Sequence, residues 1–171
     1  MSELPRSRPA SAYQERADSL LALLKSDFSF PRTTRTVIAV AGESGSGKSV
    51  TAIDLTTAMM NAGIRTEIIE AVDAPVVNYS GNRFDVQRLD FAATGVLVVE
   101  GTFALLMGGN DIGISMQATW QDTASRRKAR NRAIDDPSID TILGIEHDII
   151  APQALMVDIL LDRDLEISKR R

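Results

Sequence analysis

The sequence predicts an α/β fold of three layers, in which a parallel β-sheet is covered by helices on both faces. Two observations predict it. Apolar runs without polar alternation, typical of strands buried on both faces, recur along the chain. Segments with helical periodicity stand between these runs, and such alternation is typical of a parallel sheet. No repeat or linker divides the 171 residues, which are long enough to bury one core.

The first part of the chain predicts a helix, a strand, a glycine-rich loop and a second helix. Residues 1–34 are expected to form a loose lead-in and an amphipathic helix over 11–28, while 35–171 form the main domain. The run TVIAVA, Thr36–Ala41, is apolar and β-branched and predicts a buried strand. A helix is expected over 49–63. It is expected to end at Gly63, since glycine is suited to a helix C-terminus.

The remaining segments continue the same alternation. Strands are predicted over 64–73, 96–101, 114–120 and 156–162, and helices over 122–133 and 138–153, the latter closed by Pro152. Residues 78–95 are rich in turn-forming residues, and their secondary structure stays ambiguous.

Charge and composition exclude several classes of function. A formal net charge of −4 and a pI near 5.0 argue against a nucleic-acid partner, which requires a basic face. The longest apolar stretch carries Glu100 in its middle, so we expect no membrane span and no membrane partner. The chain has no cysteine, which fits a reducing compartment. These features predict a cytoplasmic protein.

The segment GESGSGKS, Gly42–Ser49, fits the Walker A pattern G-x-x-x-x-G-K-[ST] between a predicted strand and a predicted helix. Glycines allow consecutive backbone N–H groups to turn toward phosphate oxygens, and the following helix N-terminus favours negative charge. We expect Lys48 to reach the β- and γ-phosphates and the Ser49 hydroxyl to bind Mg²⁺. The predicted nucleotide-binding residues are Gly42, Glu43, Ser44, Gly45, Ser46, Gly47, Lys48, Ser49 and Val50.

Two further segments carry candidate site residues. Glu100 ends an apolar strand, VLVVEG, and a carboxylate at that end of a parallel strand faces the metal site of such sheets. SRRKARNR carries Arg127 and Arg130 three residues apart, in a lid expected around 122–136. A solvated basic face is the alternative interpretation of this run. His147 is the only histidine and is assigned no chemical role.

Together these segments resemble the uridine kinase/phosphoribulokinase family of P-loop kinases over about residues 35–165. The resemblance rests on GESGSGKS, VLVVEGTFALL, RRKAR and IEHDIIAPQ…VDILLD. It implies a P-loop NTPase fold that uses ATP and Mg²⁺ to phosphorylate a hydroxyl of a nucleoside- or sugar-like small molecule. It also implies that Asp73 is the base and a metal-site residue with Ser49 and Glu100, and that Arg127 and Arg130 belong to the lid.

The acceptor region departs from the family pattern. An aromatic pair usually follows the aspartate, but Ala74, Pro75 and Val76 follow Asp73 here. Only the 22 residues 74–95 separate Asp73 from the next predicted strand. The polar and aromatic groups available there for an acceptor are Tyr79, Arg83 and Asp85. A gluconate-kinase-like sugar-acid kinase and a non-catalytic nucleotide-binding module therefore stay open as alternatives, and so does homo-oligomerisation.

Overall fold

The computed structural model describes residues 10–70, 77–78, 83–84, 90–129, 137–162, 164 and 166–169. The helices in these ranges are α1 (Ala10–Asp27), α2 (Lys48–Asn61), α3 (Ala124–Ala129) and α4 (Pro137–Ile150), with 3₁₀ helices at Ala104–Met107 and Ala151–Leu155. The strands are β1 (Thr36–Gly42), β2 (Thr66–Glu70), β3 (Val77–Asn78), β4 (Arg83–Phe84), β5 (Val96–Glu100), β6 (Ile112–Met116), β7 (Ile159–Leu161) and β8 (Ile167–Lys169). None of the helices described is long and apolar enough to cross a membrane.

Six of these strands form one sheet in the order β2-β5-β1-β6-β7-β8, and β3 pairs with β4 separately. The pairs from β2 to β7 are parallel, so the predicted α/β class with helices flanking a central sheet is confirmed. The prediction of a wholly parallel sheet is wrong for β8, which runs antiparallel to β7. The reason is a tight turn after β7, where the Asp162 carboxylate accepts the N–H groups of Asp164 and Glu166 at 2.8 and 2.9 Å. A short connection of this kind can join only antiparallel strands.

Strand β1 is buried on both faces, as its unbroken apolar sequence predicted. Ile38 and Val40 belong to one core cluster, which also contains apolar residues of α1 and α2. Ala39 and Ala41 belong to a second cluster on the other face, with Leu97 and Val99 of β5 and Ala104 of the first 3₁₀ helix among its members. The central strand thus has no solvated face, and only its ends are available for chemistry.

Helix α1 shares a core with the rest of the chain. Leu20 and Leu24, one helical turn apart, are fully buried. They belong to the same cluster as Leu55 and Met59 of α2. Residues 10–27 therefore pack against the helix that follows the glycine-rich loop.

Several predicted boundaries are wrong by a few residues. The strand expected over 114–120 is β6, which begins at Ile112 and ends at Met116. It stops early because the chain turns at Thr119, where the Asp122 carboxylate accepts the Thr119 N–H at 2.9 Å and its hydroxyl at 2.8 Å. Pro152 does not close a helix over 138–153. It lies near the start of the second 3₁₀ helix, after α4 has ended, at a position that proline tolerates.

We predict that Leu24→Ala lowers the free energy of unfolding by about 2–5 kcal/mol, because it leaves a cavity between α1 and the shared core. Leu23→Ala is the matched control, since Leu23 is only partly buried against the same cluster, and its loss is expected to be smaller. Urea denaturation of both variants measures the difference. Equal losses in the two variants would show that α1 does not pack as described.

Candidate functional site

The glycine-rich loop lies at the centre of the sheet, at the carboxyl end of β1. It leaves β1 at Gly42 and enters α2 at Lys48. Strand β5 pairs with β1 on one side and β6 on the other, both in parallel. The chain therefore continues to opposite sides of β1, and such a switch in strand order opens the crevice in which α/β sheets bind ligands.

The loop has backbone angles that require glycine. Gly45 has φ +81° and Gly47 has φ +98°, both in the left-handed region that other residues rarely adopt. Gly42 is required by space, because a Cβ there would lie 2.7 Å from the Cβ of Met116 and 2.7 Å from the Ser46 hydroxyl oxygen. Ser46 is fully buried, and its N–H donates to the Glu43 carbonyl at 3.1 Å. These constraints fix a compact turn before α2.

The first turn of α2 has no side-chain cap and no acidic residue. Its N-cap is Gly47, which has no side chain to accept a first-turn N–H group. The first turn has no acidic residue, and its first residue is the cation Lys48. A cation at the positive end of a helix is unfavourable, and a bound phosphate would reverse the sign of that interaction. The half-buried Lys48 and Ser49 would flank such a phosphate. The residues present therefore fit a phosphate group.

Glu100 lies at the same edge of the sheet. It is paired in register with Val40, two residues before Gly42, and it is 5% exposed. The next residue, Gly101, donates its N–H to the Val40 carbonyl at 3.1 Å and keeps the two strand ends together. Glu70 ends β2 in register with Glu100 on the other side and is exposed. The predicted neighbourhood of Glu100 and the loop strand is thus observed.

Among the described residues, no three His, Asp or Glu side chains cluster closely enough to hold a metal ion by themselves. A Mg²⁺ site of the expected kind needs fewer protein ligands, because phosphate oxygens and water complete its octahedron. Ser49 and Glu100 are the described candidates for such a site. The third candidate, Asp73, lies outside the described residues.

The segment after β6 packs directly on the loop. The Thr123 hydroxyl donates to the Ser44 carbonyl at 2.8 Å. A Cβ on Gly45 would lie 3.0 Å from the Thr123 Cβ and 3.3 Å from the Arg127 Cγ. We call residues 119–127 the lid root, since they precede and begin the lid predicted around 122–136.

Arg127 is held by the lid root itself. Its guanidinium donates to the Trp120 carbonyl and, at 3.1 Å, to the Thr123 hydroxyl, and it lies 5.8 Å from the Trp120 ring centroid. Its aliphatic part runs beside Gly45, so Arg127 is at the loop and is not part of a free basic face. The placement of Arg130, and of the Arg126 side chain, lies outside what the structure describes.

The predicted acceptor residues also fall largely outside the described part of the chain. Tyr79 and Asp85 are not described. Arg83 begins β4 and pairs with Asn78, but its side chain is not described. These three residues stay predictions.

Glu43 and His147 form a contact that the sequence did not predict. Glu43, the second residue of the loop, is 6% exposed. One carboxylate oxygen lies 2.7 Å from the Nδ1 atom of His147 on α4, and the other accepts the Trp120 N–H at 2.6 Å. The two side chains are 104 residues apart, and no local motif signals their pairing.

A cavity of about 380 Å³ adjoins the loop beside these two residues. The carboxyl ends of β6 and β7 and the end of α4 form its walls. Its lining includes polar groups, namely Glu43, His147, Ser115, Gln117, Asp122 and Asp162. Its volume is in the range of small-molecule sites.

Comparison with known proteins gives distant structural likenesses only. No family model matches the sequence, and no curated protein matches it. A solved structure described as a "putative fructose transport system kinase" from Silicibacter sp. TM1040 is similar, with a TM-score of 0.46 and 18% sequence identity. The match covers 83% of this chain and 87% of that chain. At this level of similarity the name of that protein says nothing about the substrate of this one.

We predict that Gly45→Ala weakens the binding of ADP with Mg²⁺, because the new methyl group meets Thr123 in a left-handed turn. Gly63→Ala is the matched control, since Gly63 has φ +77° but no atom within 4 Å of its Cβ position. Both variants should lose about 1 kcal/mol of stability to backbone strain. Only Gly45→Ala should lose affinity, measured by calorimetry. Unchanged affinity in Gly45→Ala would contradict a ligand site at this loop.

Proposed function

We propose that this chain is an ATP-dependent small-molecule kinase, a phosphotransferase with an alcohol group as acceptor, similar to the uridine kinase family. The observation that carries the proposal is the loop between β1 and α2. Its left-handed glycines, its uncapped helix N-terminus and Lys48 occur together at the centre of a parallel sheet. A chance glycine-rich turn has no need for a cation at the positive end of the following helix.

Each described residue of the site is assigned one role. The N–H groups of the loop and of the first turn of α2 bind phosphate oxygens, and Lys48 adds positive charge there. The Ser49 hydroxyl and Glu100 hold the metal and its water shell. When bound, Mg²⁺ supplies charge neutralisation on the phosphates. Arg127, whose stem lies beside Gly45, is assigned the role of stabilising negative charge at the loop.

Asp73 is assigned the role of base by the family resemblance. Strand β2 ends at Glu70, three residues before Asp73, at the same edge of the sheet as Glu100. A carboxylate near that edge can accept the proton of a hydroxyl group as it is phosphorylated. Asp73→Asn should therefore retain ADP binding while phosphoryl transfer collapses.

A screen for phosphoryl transfer tests the proposal and identifies the acceptor. Nucleosides, sugars, polyols and sugar acids are offered with ATP and Mg²⁺, and the phosphorylated products are identified by mass spectrometry. Transfer to a nucleoside supports the uridine-kinase-like assignment, and transfer to a sugar acid supports the gluconate-kinase-like alternative. Nucleotide binding without transfer to any acceptor would indicate a non-catalytic nucleotide-binding module.

We predict that Lys48→Ala lowers the affinity for ATP with Mg²⁺ by about 100-fold or more and abolishes transfer, since it removes the cation at the phosphates. Lys25→Ala, which removes an exposed lysine near the end of α1, is the control and should bind as the unmodified protein does. Calorimetry with ATP and Mg²⁺ measures both variants. Wild-type affinity in Lys48→Ala would rule out the Walker A assignment.

We also predict that Glu100→Gln shifts the Mg²⁺ dependence of transfer to higher metal concentration, because an amide holds the metal and its waters less well than a carboxylate. Glu70→Gln is the matched control, since Glu70 is the in-register neighbour of Glu100 but is exposed. Mg²⁺ titrations at saturating ATP compare the two variants. The same Mg²⁺ midpoint in both would remove Glu100 from the metal site.

A further inference from the structure

We propose that Glu43 is a positioning residue that ties the glycine-rich loop to the lid root and to α4, with His147 as its partner on α4. Its consequence, that ligand binding at the loop is transmitted to the lid root, rests on the proposed function. The link itself rests on the contacts of Glu43 alone.

Both oxygens of the Glu43 carboxylate are engaged by different elements. One accepts the backbone N–H of Trp120 in the lid root at 2.6 Å, and the other lies 2.7 Å from the Nδ1 atom of His147. A carboxylate accepts hydrogen bonds, so the contact with an ionised Glu43 requires the tautomer of His147 that carries a hydrogen on Nδ1. The side chain of one loop residue thus joins three elements that are distant in sequence.

Because Glu43 is buried, its two contacts fix the position of the loop. The residue is 6% exposed, and a buried carboxylate without partners is very unfavourable. His147 is more open, with 37% of its side chain exposed. The loop backbone can therefore keep its position only where Trp120 and His147 stay within reach of Glu43.

A second set of contacts also joins the loop to the lid root. The Thr123 hydroxyl donates to the carbonyl of Ser44, the residue after Glu43. Thr123 and Arg127 lie so close to Gly45 that they occupy the space a side chain at position 45 would need. The lid root is thus bound to three consecutive residues of the loop. A shift of the loop on binding phosphate must move the lid root with it, and Arg127 belongs to that root.

The fluorescence of Trp120 can be used to monitor the contact between Glu43 and the lid root. Trp120 is the only tryptophan, and its backbone N–H is the group that Glu43 binds. Its fluorescence therefore reports the lid root without a label. The quenching of this fluorescence by acrylamide measures how freely solvent reaches the ring.

The first experiment uses the full chain without any ligand. Glu43→Ala should increase the quenching of Trp120 and shift its emission to longer wavelength, because the lid root loses its anchor. Glu43→Gln should stay close to the unmodified protein. Its amide oxygen can accept from Trp120, and its amide nitrogen can donate to the Nδ1 atom of His147 when the imidazole carries its hydrogen on Nε2 instead. Asp148→Asn, a charge change at the exposed neighbour of His147, is the control and should change nothing.

His147→Ala keeps the Glu43 side chain and the Trp120 bond but removes the contact with α4. It should give a smaller increase in quenching than Glu43→Ala. This variant decides the question if Glu43→Ala fails to fold, as judged by circular dichroism. Quenching in His147→Ala and Glu43→Ala equal to that of Asp148→Asn would overturn the proposal.

The second experiment adds ADP with Mg²⁺ as the probe. In the unmodified protein and in Glu43→Gln, binding should change the Trp120 emission. In Glu43→Ala, calorimetry should detect binding weakened by about tenfold, as expected for the loss of hydrogen bonds to a charged group, while the emission no longer responds. A Glu43→Ala response as large as that of the unmodified protein would overturn the proposal.

The two experiments separate the failure of this inference from that of the proposed function. If the unmodified protein binds neither ADP nor ATP, the proposed function fails, but the quenching measurements still decide the role of Glu43. If nucleotides bind and Glu43→Gln loses the response as fully as Glu43→Ala, the charge of Glu43 acts on the ligand directly. That result would overturn its role as a positioning residue.

Discussion

The parallel pairing of β1 with β5 and β6 is the interaction on which the site depends. Each pair is matched over five positions, and the apolar side chains of β1 fill a core on both faces. Because parallel strands end at the same edge, this pairing brings Gly42, Glu100 and Met116 to one end of the sheet. The close approach of Gly42 to Met116 then leaves the chain no room for a side chain where the loop begins. The position of the loop is therefore a consequence of strand register.

The loop itself combines features that do not favour stability. It has two left-handed glycines before a helix that lacks a side-chain cap and begins with a lysine. Backbone strain and an unfavourable helix terminus persist in a protein only where surrounding contacts hold them. Those contacts come from the lid root and α4, through Thr123, Glu43 and His147. The arrangement fits a site whose missing interactions are supplied by an anionic ligand.

Local signals explain which parts of the fold could be predicted from the sequence. Strand β1, the loop and α2 are specified by an apolar run, a glycine motif and helical periodicity, all within about 27 residues, 36–62. The start of β6 is set by a long-range contact, since the Asp158 carboxylate accepts the Gly113 N–H at 2.8 Å. Strand β8 is short and carries polar residues, and it is defined by its pairing with β7 and by the Asp162 turn. Local sequence patterns do not show such long-range contacts and pairings.

The distance along the chain between contacting residues also explains why part of the candidate site was predicted and part was not. Gly42–Ser49 and Glu100 could be proposed from the sequence, because the motif and the end of the strand that position them are next to them in the chain. Glu43 carries no signal of its partners, because its side chain meets residues 77 and 104 positions away. His147 is a single histidine on a helix, and a single histidine is more often structural than chemical. In this structure His147 makes a structural contact with Glu43 on the loop that we propose binds phosphate. A contact that holds this loop in place bears on what the site can do.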